Sequence, residues 1–152
     1  MLRAGVVLEP PQDEAYESFA RMGREGRIIA KGTPGARFLL KIAPERLYVL
    51  ADGEPQGQHL VAAFREAVAS GMPRGIKTLT DVRHFTGIVD WDSVRGLREL
   101  APNFGGIHTS VAYVVRDNLF GHLIKIAAAM FPKVQHKVFL DPAEAEAWLD
   151  SV

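Results

Sequence analysis

Ser110-Val111-Ala112-Tyr113-Val114-Val115 is the stretch that decides the fold. It is short, almost continuously apolar and rich in β-branched residues, with Asp117 close behind it. A run of this length reads as a strand, and its apolar character on successive residues suits a central strand covered on both faces. Strands of that kind occur in parallel sheets, whose crossovers are helices.

The flanking sequence supplies those crossovers. Upstream, Ile76-Lys77-Thr78-Leu79-Thr80-Asp81-Val82 alternates and predicts another strand. Between the two, Val94, Leu97, Leu100 and Ala101 mark a helix that begins near Asp90 and stops at Pro102. Downstream, Asp117 can cap a helix carrying Leu119, Phe120, Leu123, Ile124, Ala127, Met130 and Phe131 on a wide apolar face, ended by Pro132. Residues 134–140 read as the last strand. Asp141-Pro142-Ala143-Glu144 opens a final helix with a capping aspartate, proline at the first position and glutamate three residues after the cap.

Nearer the start, Phe38-Leu39-Leu40-Lys41-Ile42 and Arg46-Leu47-Tyr48-Val49-Leu50 flank Ala43-Pro44-Glu45 and predict an antiparallel hairpin. Leu60, Phe64, Ala67 and Val68 then recur at helical spacing up to Gly71. The expected architecture is α/β: a mostly parallel sheet of four to five strands with an antiparallel edge strand, and about four helices. Residues 37–152 form this domain. Residues 1–36 read as a leader with a short helix around Ala15, Phe19 and Met22, a short strand at Arg27-Ile28-Ile29-Ala30, and a turn or linker at Gly32-Thr33-Pro34-Gly35.

Composition bounds the function. The 152 residues fit one domain, with 47% apolar residues and a formal net charge of zero. A neutral chain gives no global reason to expect nucleic acid as a partner. No cysteine is present, which excludes disulfides and thiolate metal sites. The apolar run at the N-terminus is too short for a signal peptide, and residues 119–131, with His122 and Lys125, are too short and polar to span a bilayer. The expected compartment is the cytoplasm.

Three stretches carry a resemblance to a known family. They are Glu45-Arg46-Leu47-Tyr48-Val49-Leu50-Ala51-Asp52-Gly53-Glu54, then Ile76-Lys77-Thr78-Leu79-Thr80-Asp81-Val82-Arg83-His84-Phe85-Thr86-Gly87, and the ending from Phe131-Pro132 through Asp141-Pro142-Ala143-Glu144 to Trp148-Leu149. In these, residues 38–149 resemble the SpoIIAA-like family, related in fold to STAS domains and to lipid-binding CRAL-TRIO domains. The resemblance implies a SpoIIAA-like α/β fold and a regulatory, signalling role. In the anti-sigma-factor antagonists of this kind, a serine after an aspartate at a helix start is phosphorylated. The corresponding turn here, Phe85-Thr86-Gly87-Ile88-Val89-Asp90-Trp91-Asp92-Ser93, lacks the Asp-Ser-Ser-Gly pattern. The resemblance therefore points to a homologue without the switch. Thr86, nearest by register, and Ser93, which keeps the Asp-Ser dipeptide, are the phosphoacceptor candidates.

The five histidines show no i, i+4 pair and no His-Glu-x-x-His pattern, so no metal ligand set is expected. Glycine-rich phosphate cradles are missing, and no cofactor is expected. Asp81, Arg83 and His84 stand at a strand end, where α/β folds place their ligands, but no nucleophile accompanies them. The reading is a non-catalytic interaction domain. Its partner or ligand surface is Arg83, His84, Phe85, Thr86, Trp91, Phe104 and Phe120, aromatics and polar groups near the strand ends. The alternative from a different class is a binder or carrier of a small hydrophobic molecule or lipid. The edge hairpin and the leader are candidate homodimer contacts, because an uncovered strand invites pairing.

Overall fold

The computed structural model describes residues 13–87, 92, 95–96, 108–117, 125, 128–129 and 131–152. Among them, six strands and three helices follow in the order α1 (Glu14–Arg21), β1 (Arg27–Thr33), β2 (Ala36–Ala43), β3 (Arg46–Gly53), α2 (Gly57–Ala69), β4 (Lys77–Asp81), β5 (Thr109–Val114), β6 (Val134–Phe139) and α3 (Pro142–Ser151). The strands form one sheet in the spatial order β1-β2-β3-β4-β5-β6. The pairings β1–β2 and β2–β3 are antiparallel, and β3–β4, β4–β5 and β5–β6 are parallel. The α/β class and the 38–50 hairpin are as the sequence predicts. The sheet is larger than the expected four to five strands, and its antiparallel part is three strands wide.

The extra strand is the short one expected at residues 27–30 of the leader, which runs on to Thr33 and joins the sheet. Arg27–Thr33 pairs with β2 over seven positions, from Arg27 opposite Ile42 to Thr33 opposite Ala36. Its local signal is weak, because three apolar residues stand together and Gly32 breaks the alternation. Gly32 is required there: it has φ 106°, and a Cβ would lie 2.3 Å from the Ala36 carbonyl oxygen. The two hairpin turns have the same build, Pro34-Gly35 and Pro44-Glu45, and the second residue of each has positive φ, 81° and 61°.

Period-two alternation sorts the sheet residues onto two faces. On one face Ile29, Phe38, Leu40, Leu47, Val49 and Ala51 pack beneath Ala63, Phe64 and Ala67 of α2, joined by Met72, Ile76 and Phe85. On the other, Leu39, Ala43, Tyr48, Leu50, Leu79, Ala112 and Val114 pack beneath Phe19 of α1 and Ala145 and Leu149 of α3. Alternation in β5 is visible in its burial: Ser110, Ala112 and Val114 are buried, while Thr109, Val111 and Tyr113 are half-buried.

Helix ends match their sequence signals. The Asp13 carboxylate accepts from the Tyr16 N–H at 2.9 Å, and that of Asp141 from the Ala143 N–H at 3.0 Å, with Pro142 in the first turn of α3. Lys77 Nζ donates to the Leu149 carbonyl at 3.0 Å and to that of Val152, which meets the unpaired carbonyls at the end of α3. The helices expected at residues 90–101 and 117–131 lie largely outside the described residues. Among those residues no helix is long and apolar enough to cross a membrane.

Candidate functional site

The parallel strands β3 and β4 end side by side, and the chain leaving β4 makes a turn fastened at three points. Asp81, the last residue of β4, is 3% exposed. Its Oδ1 accepts from the Arg83 backbone N–H and from Arg83 Nε, both at 3.0 Å, and its Oδ2 accepts from the second guanidinium arm at 2.8 Å. This forked pairing holds the guanidinium even more firmly protonated, against the cost of partial burial, and Asp141 adds to the effect. Next, the Gly53 N–H donates to the His84 carbonyl at 3.0 Å and the Thr86 N–H to the Gly53 carbonyl at 2.8 Å, so the turn is stitched to the end of β3. Finally, the Phe85 ring is buried in the α2-side core.

His84 and Thr86 are left exposed on this rigid turn, with Arg83 half-buried between them and the sheet. Both oxygens of Asp81 face Arg83, so the aspartate orients the turn. Phe85 departs from its expected place. It is 9% exposed and belongs to the core, because the bridge to Gly53 turns its side chain inward. Phe85 therefore cannot offer a partner an exposed ring. Trp91, Ser93, Phe104 and Phe120 lie outside the described residues. Among the described residues no group of three or more His, Asp or Glu is placed to hold a metal ion.

A second polar cluster, which sequence reasoning missed, lies under α1 and α3. Three cations on β2 and β3 point into the protein: Arg37 and Lys41 are 1% exposed and Arg46 is 2%. Arg37 donates to Asp52 at 3.1 Å and to Asp13 at 2.6 Å. Arg46 donates to Glu146 at 2.6 Å and to Asp150 at 2.7 Å. Burial works against the Arg46 charge, but hydrogen bonds to Asp150 and Glu146 overcome it and raise its pKa. Tyr48 donates to Glu146 at 3.0 Å and accepts from the Arg24 N–H at 3.1 Å. Burial raises the Tyr48 phenol and lowers the Lys41 ammonium, the latter opposed by Glu146 and Glu25. In the sequence these cations look like solvated strand residues. Their presence in otherwise apolar runs, Phe38–Ile42 above all, is the signal that they need buried partners.

On the opposite face, Tyr113 of β5 meets His136 of β6. The Tyr113 hydroxyl lies 2.8 Å from His136 Nδ1, and the rings stack with centroids 5.6 Å apart. Burial pushes the Tyr113 phenol above its ordinary range and lowers the His136 imidazole, which the Phe131 carbonyl partly offsets.

No family model and no curated protein matches this chain. Among solved structures, it is similar to an uncharacterised protein of the DUF3478 family with a SpoIIAA-like fold from Shewanella loihica PV-4. The identity is 19%, the match covers 81% of this chain and 92% of that one, and the TM-score is 0.55. The likeness bears out the SpoIIAA-like fold read from the sequence.

Proposed function

We propose that this SpoIIAA-like chain is a non-catalytic interaction domain that presents the turn at residues 83–87 to a regulatory protein partner. One observation carries the reading: the turn is held at Asp81, at Gly53 and by the buried Phe85 ring, yet His84 and Thr86 project from it into solvent. A surface that is already rigid loses little conformational entropy on binding. The strand-end position is where α/β sheets place their ligand contacts. The exposed Thr86 hydroxyl is also the position nearest to the phosphoacceptor of the resembling family.

The test is a quantitative pull-down with the wild-type chain, the double variant His84→Ala/Thr86→Ala, and Glu25→Ala as a remote exposed control. The double variant is expected to keep the wild-type circular dichroism and melting curve while losing the partner that the wild type and control retain. Equal recovery by all three overturns the proposal. Native mass spectrometry of the same preparations gives an independent outcome: a co-purified lipid in place of a protein partner favours the carrier.

A further inference from the structure

Helix α1 is eight residues long and rests on β2 and β3 by its two ends and one buried ring. At its start, the Asp13 carboxylate lies 2.6 Å from the Arg37 guanidinium. At its finish, Lys41 Nζ donates to the carbonyls of Phe19 at 3.3 Å, Ala20 at 3.2 Å and Met22. Between these ends Phe19 is 3% exposed, and Tyr16 and Met22 pack half-buried against the same core. The face therefore reads a helix by a capping carboxylate, by an aromatic stripe and by the unpaired carbonyls of the last turn.

Part of the groove is held by groups outside α1, although Lys41 Nζ draws its hydrogen-bond acceptors from α1 and Met22. Arg37 is also held by Asp52 of β3. The Lys41 ammonium sits 4.7 Å from the Tyr48 ring centroid, and the Tyr48 hydroxyl is anchored by Glu146 of α3. The helix is the dependent part. Eight residues are too few for a helix to be stable alone in water, so α1 is helical because it is docked. It is tied to β1 by residues 22–26, which include Gly23 at φ 61° and Gly26.

We propose that this groove is a helix-receiving surface, that α1 is its resident occupant, and that it accepts in trans an amphipathic helix of another protein with the pattern Asp-x-x-aromatic-x-x-aromatic-x-x-Met. Charge complementarity selects the partner. Buried Arg37 meets the Asp13 carboxylate at the start of the occupant, and buried Lys41 meets the carbonyls at its end. The pattern is that of Asp13, Tyr16, Phe19 and Met22. Recognition of this kind sets an apolar helix stripe into a groove. This surface is separate from the turn at 83–87, and α1 would mask it until displaced.

The probe is an N-acetylated, fluorescently labelled peptide of residues 13–22, titrated by anisotropy into the full chain and into Asp13→Lys, whose resident helix has lost its attraction to Arg37. The variant is expected to bind the peptide at least tenfold more tightly than the wild type. A peptide carrying Phe19→Ala should lose that binding. Amide exchange should show faster exchange in α1 of the variant with β2 and β3 still protected. Should Asp13→Lys fail to fold, Phe19→Ala in the chain gives a second released form with the same expectation. Equal affinity of released and wild-type chains for the peptide, or for the peptide and its Phe19→Ala form, overturns the proposal. A concentration-dependent wild-type dimer that has exchanged α1 also overturns it, since the occupant would then be a second copy.

Discussion

A Cβ built on Gly53 would lie 1.8 Å from the carbonyl oxygen of Gly35. The two backbones meet where the end of β3 passes the β1–β2 turn, and the Glu54 N–H donates to that same carbonyl at 3.1 Å. Gly53 also has φ 70° and hydrogen-bonds the turn at residues 83–87. Gly53→Ala is expected to cost about 3 kcal/mol or more, combining left-handed strain with a backbone clash. Gly71→Ala isolates the first component, because Gly71 has φ 91° with no atom within 4 Å of the added Cβ. It should cost about 1–2 kcal/mol. Urea unfolding midpoints check both, and equal losses would remove the close approach from the account.

The two Pro-x hairpin turns differ only in their second residue. Gly35 occupies the left-handed region freely, whereas Glu45 does so at φ 61° with a full side chain. Glu45 is exposed, so its replacement disturbs no core contact. Glu45→Gly should raise stability by about 0.5–1 kcal/mol, net of the entropy that glycine adds to the unfolded chain. In a domain of this size that corresponds to roughly 1–4 °C in Tm. A lowered Tm would show that Glu45 is held there by a favourable contact.

Acid should loosen the seat of α1. Hydrogen bonding to Arg37 lowers the Asp13 pKa below its ordinary 3.8. The folded state thus binds this proton less readily than the unfolded state, and stability rises with pH through this range. The contribution is complete above about pH 4–5, the unfolded range, and is lost as pH falls through the lower folded value. Asp13→Asn should flatten the dependence of the unfolding midpoint between about pH 5 and 2. An unchanged slope would mean the Arg37 contact does not persist in solution.

His136 provides a second pH dependence at a higher range. Burial lowers its pKa from 6.5, so the folded protein holds the imidazole neutral where the unfolded chain is protonated. Stability is complete above about pH 6.5 and falls as pH drops toward and through the lowered value. Asn keeps an acceptor near Nδ1 for the Tyr113 hydroxyl but does not titrate. His136→Asn should therefore reduce the loss of stability between about pH 6.5 and 5, read from urea midpoints across that range. A variant as pH-sensitive as the wild type would assign the effect to other groups.

Much of the frame was legible because its signals are local. The Pro44-Glu45 connection, the Asp141-Pro142 helix start and the stop at Gly71 each depend on φ preferences or on a side chain reaching its own backbone. Strand β1 was legible only as the short piece at residues 27–30, and not as part of the sheet, since Gly32 and three adjacent apolar residues leave little alternation to read. At the candidate site, Arg83, His84 and Thr86 could be placed on a strand-end turn from pattern alone. The inward turn of Phe85 could not, because it depends on the bridge to Gly53, more than thirty residues earlier in the chain.

The sequence by itself determined the α/β class, the order of the strands from residue 37, and the helices at residues 57–69 and 142–151, since each follows from apolar rhythm and backbone preference within a few neighbouring residues. Only the tertiary structure decided that Arg37, Lys41 and Arg46 are interior cations. Arg46 finds its partners at Glu146 and Asp150, 100 and 104 residues away, and Lys41 finds the end of α1 about twenty residues back. A charged side chain is buried only where such partners converge on it, and that convergence is a property of the folded sheet rather than of any local stretch.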